Sequence, residues 1–94
     1  MNRKELVSAL AEKNGSTKAA ADKFLECFQD EIMTAVASGV AVKLAGFGCW
    51  EAVERAAKVG RNPLTGQAME IPERTVPRFR PAKAFREMVS GAGH

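Results

Sequence analysis

The stretch Gly46 to Gly66, GFGCWEAVERAAKVGRNPLTG, changes character twice within 21 residues. Gly46-Phe47-Gly48 reads as a turn between two short runs of strand type. Val40-Ala41-Val42-Lys43-Leu44 precedes it and Cys49-Trp50-Glu51-Ala52-Val53 follows it, both with period-two patterning. From residue 54 the apolar character thins out. Over positions 54–74 the sizeable apolar residues are only Val59, Leu64, Met69 and Ile71, set among Arg, Lys, Gly and Pro. A loop of that length is uncommon inside a compact domain unless it is functional or disordered. Its centre, residues 60–66, is rich in turn formers, so its flanks are expected to pair as a hairpin. About nine residues a side at ~3.3 Å each would project on the order of 30 Å. Arg55, Lys58 and Arg61 decorate this ribbon, and a protruding basic ribbon suits a groove of DNA.

Downstream, Thr75 to Arg80 reads as a third strand. Pro77 and Phe79 share one face, Val76, Arg78 and Arg80 the other. Phe79 is expected to point inward and the arginines outward. Pro77 argues for a sheet edge because it has no N–H to donate. Pro81 suits the first turn of a last helix, with Phe85, Met88 and Val89 as its buried stripe. Residues 91–94 read as a frayed tail.

Upstream, Asn2 can cap a first helix, with Glu5 three residues later as in a capping box. Leu6, Val7, Leu10 and Ala11 form its apolar stripe, and Asn14-Gly15 ends it. Thr17 caps a second helix that runs to about Ser38, before Gly39. Phe24, Leu25, Cys27, Phe28, Ile32, Met33, Ala35 and Val36 cover more of this helix than one small neighbour could bury. It is either the central helix of a monomer core or a dimer element. The chain has little else to wrap around it, which favours the dimer.

With 94 residues, the chain is sized for one domain whose core is marginal unless supplemented. Disulfides are a poor supplement: Cys27 and Cys49 read as small hydrophobes on core faces. No Met-led apolar stretch resembles a secretory signal, and no apolar run approaches the ~20 residues needed to cross a bilayer. A reducing cytoplasm with free thiols is expected. The net charge is +3, but its distribution is uneven. Residues 1–50 carry six bases against six acids, and residues 51–94 carry eight against five. Between Arg55 and Arg86 only Glu70 and Glu73 are acidic. That asymmetry points to a polyanionic partner. An enzyme is not expected. His94, the sole histidine, lies in the tail, no phosphate-binding glycine loop joins a strand to a helix, and no cofactor or metal is implied. Glu51 and Glu54 read as solvated charges on opposite strand faces.

The string from Gly46 to Gly66 resembles the signature of the bacterial histone-like HU and integration host factor family. Ser16-Thr17-Lys18-Ala19-Ala20-Ala21 is similar to the family's second-helix start. Val76-Pro77-Arg78-Phe79-Arg80-Pro81-Ala82-Lys83 is similar to its last strand and helix entry. The resemblance covers essentially the whole chain, and it implies an α+β intertwined homodimer within a single domain, 1–94. A helical base (2–38) would carry a three-stranded antiparallel saddle (40–53 and 75–80). An arm (54–74) would enter the DNA minor groove, and a short C-terminal helix (82–90) would follow. The groove and the apolar wedge are properties of the family, not readings from these residues alone; by itself Pro63 could simply stiffen a turn.

Position by position, Pro63 matches the family's intercalating proline, and Arg61 and Asn62 match the tip residues beside it. Arg55 and Lys58 match basic arm positions, Lys58 where many members have Arg. Arg78, Arg80, Lys83 and Arg86 fall where saddle and last helix face phosphates, with Arg3 and Lys18 as flank candidates. Phe24, Phe28, Phe47 and Phe79 are the expected dimer interface. Ala82 replaces a common Gly, and Glu70, Ile71 and Glu73 make the returning arm strand less basic than in many members. The implied partner is double-stranded DNA bound with little sequence preference in the bacterial nucleoid. No membrane and no small-molecule substrate are implied, and a heterodimer with a related chain is open. The alternatives are a sequence-preferring bender like integration host factor and a protein scaffold using its arm for β-augmentation.

Overall fold

The computed structural model describes residues 1–91, so the expected frayed tail lies, apart from Gly91, outside the described residues. Two compact units divide the chain, Met1–Thr34 and the part from Ala35 onward.

In the first unit, Asn2 caps α1 (Arg3–Asn14) by accepting the Glu5 N–H at 2.9 Å. Gly15 ends the helix at φ 67°, a left-handed conformation that costs glycine little. The Thr17 hydroxyl then accepts the Ala20 N–H at 3.1 Å. It thereby opens α2 (Lys18–Ala37), which continues across the unit boundary. Val7, Ala11 and Ala21 form a small buried cluster, with Leu25 packed against it. Of the other apolar positions predicted on α2, Val36 is buried and Phe28, Ile32 and Ala35 are half-buried, while Phe24 and Met33 are open, 74% and 68% exposed. Cys27, expected on a core face, is exposed. The reason is geometric: α1 is one slender neighbour and covers only one stripe of α2.

In the second unit, β1 (Val42–Leu44), β2 (Gly48–Arg55) and β5 (Arg74–Pro81) form an antiparallel sheet in the order β1-β2-β5. Pro77 therefore lies on an edge strand, as its missing N–H requires. The turn between β1 and β2 closes through the Phe47 N–H to the Leu44 carbonyl at 3.0 Å, with Gly46 at φ 78°. Pro81, expected in the first turn of a helix, instead closes β5. The Ala82 N–H donates to the Phe47 carbonyl at 2.9 Å, and α3 (Lys83–Ser90) starts from there.

Trp50 stands opposite Phe79 in the register, and their rings lie 4.7 Å apart. Phe47 joins them, 5.3 Å from Trp50 and 5.9 Å from Phe79, and stacks on Phe85 of α3 at 5.7 Å. Met88 and Val89, expected to be buried with Phe85, are 85% and 75% exposed. A helix of eight residues has room for one anchor against this cluster, and Phe85 is that anchor.

Between β2 and β5 the chain forms a second ladder, β3 (Lys58–Arg61) against β4 (Ala68–Ile71). The ribbon expected from residues 54–74 is thus divided. Arg55 pairs with Arg74 at the end of the saddle ladder, and Lys58 pairs with Ile71 three residues further along each strand, so the register does not slip. Ala56-Ala57 and Pro72-Glu73 lie between the ladders and belong to neither. Pro72 accounts for the break, since it lacks the N–H that a continuous ladder would use.

Among the described residues, only Val7, Ala11, Ala21 and Val36 are buried apolar side chains. The chain exposes 7803 Å², against about 5,300 Å² for a folded monomer of its 10.1 kDa. A surplus on that scale, with Phe24, Met33, Met88 and Val89 among the exposed apolar side chains, fits a chain whose core a second one completes.

Candidate nucleic-acid interface

Strand alternation sorts the saddle residues. Leu44, Gly48, Trp50, Phe79 and Pro81 share the apolar face. The opposite face carries the row Lys43–Cys49–Arg80, then Glu51 opposite Arg78, Val53 opposite Val76, and Arg55 opposite Arg74. Five cations therefore share one side of a three-stranded sheet. Cys49, expected on a core face, is half-buried among them. Lys43, Arg80, Lys83 and Arg86 also line one hollow at the Gly48 end of the sheet, where the last strand hands over to α3.

Glu51 is the only acid on that sheet face. Its side chain is 20% exposed, and it is not the solvated charge that isolated strand geometry suggests. The Arg78 guanidinium grips Oε1 through Nη2 and, at 3.1 Å, through Nε. Arg80 reaches Oε2 at 3.3 Å and Oε1 at 3.2 Å. The Arg78 hydrogen bonds hold the Glu51 carboxyl below the usual carboxylate range. Burial pushes the other way, and the Arg80 charge adds to the lowering. A lowered carboxyl contributes stability above its unfolded-state value and loses it only as pH falls through the lowered one, so this contact persists through neutral and mildly acidic solution. Arg78 and Arg80, expected to face phosphates, are thus held by an internal anion in the free chain.

The arm carries Lys58 and Arg61, both exposed. With the register unbroken, alternation puts Arg61 on the side of Arg55 and Lys58 on the other, with Ile71. At its tip the Gly66 N–H donates to the Asn62 carbonyl and the Asn62 N–H to the Gln67 carbonyl, both at 2.8 Å. The Asn62 side chain accepts the Leu64 N–H at 2.9 Å, and Arg61 Nη1 donates to the Gly66 carbonyl at 2.9 Å. Asn62 therefore organises the turn, and Pro63 and Leu64 stand exposed on it. In the first unit Arg3, Lys4 and Lys18 line a shallow depression with Asp22. Arg3 is held there by Asp22 at 3.0 Å and by Gln29 at 2.6 Å.

Two cations of this surface, Lys43 and Arg74, escape a reading by segments, as does Glu51. Alternation within β1 turns Lys43 away from Val42 and Leu44. Only the register reveals that it shares a row with Arg80. Among the described residues no cluster of His, Cys, Asp and Glu could hold a metal ion, and no helix is long and apolar enough to cross a membrane.

The family model described as bacterial DNA-binding protein matches residues 1–90. The chain belongs to the bacterial DNA-binding protein family. It is 47% identical over 89 residues to DNA-binding protein HU of Geobacillus stearothermophilus, covering 95% of this chain and 99% of that protein. To DNA-binding protein HU of Nostoc sp. it is 50% identical over 90 residues, covering 96% of each. Among solved structures it is similar to an Anabaena HU–DNA cocrystal structure, with a TM-score of 0.91 and 50% identity over 96% of this chain and 98% of that one. Membership in this DNA-binding family makes the chain an architectural protein rather than an enzyme, and its α+β fold is that of the HU structures.

Proposed function

We propose that residues 1–94 act as one DNA-binding module that works as an intertwined homodimer in the bacterial nucleoid. The dimer binds double-stranded DNA with little sequence preference and bends it. What supports this reading above all is the cationic side of the sheet, joined without a register slip to an arm that carries Lys58 and Arg61 and ends in an exposed proline.

The roles divide by position. Arg55, Lys58 and Arg61 follow the backbone along the arm. Asn62 sets the turn, and Pro63 enters between base pairs as a rigid apolar wedge. Arg78, Arg80, Lys83 and Arg86, joined by Lys43 and Arg74, take phosphates on the saddle. Arg3 and Lys18 are the further phosphate-contacting candidates, on the helical base. Phosphate contacts of this kind orient a protein on the duplex without reading its sequence.

Replacing Pro63 with alanine is expected to keep the dimer and most of the affinity while reducing the bend. Energy transfer between dyes at the two duplex ends reads this, and an unchanged bend angle removes the wedge role. The dimer interface is built around Phe24, Phe28, Phe47 and Phe79, with Phe24 the most open of the four at 74%. No folded monomer is therefore expected at micromolar concentration, and the unfolding temperature should rise with protein concentration. Sedimentation equilibrium that finds a stable folded monomer contradicts this part of the reading.

A further inference from the structure

Leu64 has no evident work to do in the free chain. It is 94% exposed, the most exposed of the large apolar side chains among the described residues. Single exposed leucines are ordinary on protein surfaces, so exposure alone carries no argument; its setting does. The turn that holds Leu64 is closed on itself. Asn62 accepts the Leu64 N–H at 2.9 Å, the Gly66 N–H returns to the Asn62 carbonyl at 2.8 Å, and Arg61 caps the Gly66 carbonyl at 2.9 Å. The Gln67 N–H is taken up by the Thr65 hydroxyl at 3.3 Å. With these polar groups satisfied internally, the turn is held in shape and presents the adjacent apolar side chains of Pro63 and Leu64 at its tip. The arm behind them carries Arg55, Lys58 and Arg61, a charge pattern that selects a polyanion over an apolar protein surface.

We propose that Leu64 is a second wedge residue, entering the minor groove beside Pro63 and covered there by sugar and base-edge surface. This rests on the DNA-bending reading above and extends its apolar contact from one residue to two. Minor-groove benders insert leucine as well as proline between base steps. A preformed turn lets both enter with little loss of chain freedom on binding.

The test compares Leu64→Ala and Leu64→Gln with Pro63→Ala in the full-length dimer, on one random-sequence duplex. Affinity at two salt concentrations, end-to-end energy transfer and the fluorescence of 2-aminopurine at the bent steps are read together. Leu64→Ala is expected to weaken binding on the order of tenfold, the scale set by one buried leucine side chain. It should also lower the bend and the 2-aminopurine signal, with Leu64→Gln behaving alike. The salt slope should not change, because no phosphate contact is lost, and thermal unfolding should match the parent.

If Leu64→Ala binds and bends as the parent does while Pro63→Ala is impaired, the leucine has no such role and the proline wedge stands. If neither substitution alters the bend, the bending reading itself fails, and the leucine's role with it. A loss of self-association with DNA binding intact assigns Leu64 to a protein contact and overturns the proposal.

Discussion

Raising the salt from 50 to 200 mM should weaken binding to any duplex by about 10³-fold or more, if the two protomers together neutralise about six to ten phosphates. The slope of log K against log salt should be about −0.9 per phosphate contacted. A slope near zero would instead favour a protein scaffold. Glu51→Gln sharpens the experiment. In the free chain this carboxylate occupies the guanidinium groups of Arg78 and Arg80, so phosphates must displace it before those arginines contribute. Removing its charge should tighten binding at low salt and steepen the slope by up to about two per protomer. Unchanged affinity at low salt in Glu51→Gln would mean that Glu51 does not compete with phosphates for Arg78 and Arg80.

Gly48→Ala should unfold the protein more effectively than any other single methyl addition at a glycine of the sheet. A Cβ at this buried position would lie 2.6 Å from Phe79 Cζ and 2.7 Å from the Arg80 carbonyl oxygen. The carbonyl belongs to the paired backbone of β5 and cannot yield without breaking the ladder. The ring is held between Trp50 and Phe85. Overpacking of this kind costs typically 1–3 kcal/mol, and in a domain of this size each kcal/mol shifts the unfolding temperature by roughly 4–8 °C. Thermal unfolding read by circular dichroism tests it; a melting curve that overlays the parent's would mean that β2 and β5 can separate at no cost. Gly60 is a useful control. A Cβ there meets the flexible end of the Ile71 side chain at 3.0 Å, so Gly60→Ala should cost less.

The elements announced by local chemistry were legible in the sequence. Asn2, Gly15 and Thr17 delimit two helices through bonds that each residue makes within a few positions of itself. Gly46 sets its turn, and Pro77 declares an edge. The basic character of the arm needs only a count of charges. What could not be read depends on residues far apart in the chain. Glu51 looks solvated until the register sets it opposite Arg78 and one pair away from Arg80. Lys43 looks isolated until its row is known. Periodicity marks Cys27, Met88 and Val89 as apolar-face positions, yet it does not say which surface covers that face. Within one chain none covers them. Pro72 was visible as a proline in a hairpin flank, but its effect, dividing one ribbon into two ladders, depends on what stands across from it.

That division has a mechanical consequence. The two ladders are stiffened by their own hydrogen bonds, while Ala56-Ala57 and Pro72-Glu73 between them belong to neither. The ribbon is therefore a lever with a soft fulcrum. From there to the turn is about 20 Å at ~3.3 Å per residue. A tilt of roughly ten degrees at the fulcrum would carry the tip about 3.5 Å, close to the ~3.4 Å rise between neighbouring bases. The arm could thus move its wedge from one base step to the next while both ladders stay intact, a tolerance suited to a protein that must grip whatever sequence it meets.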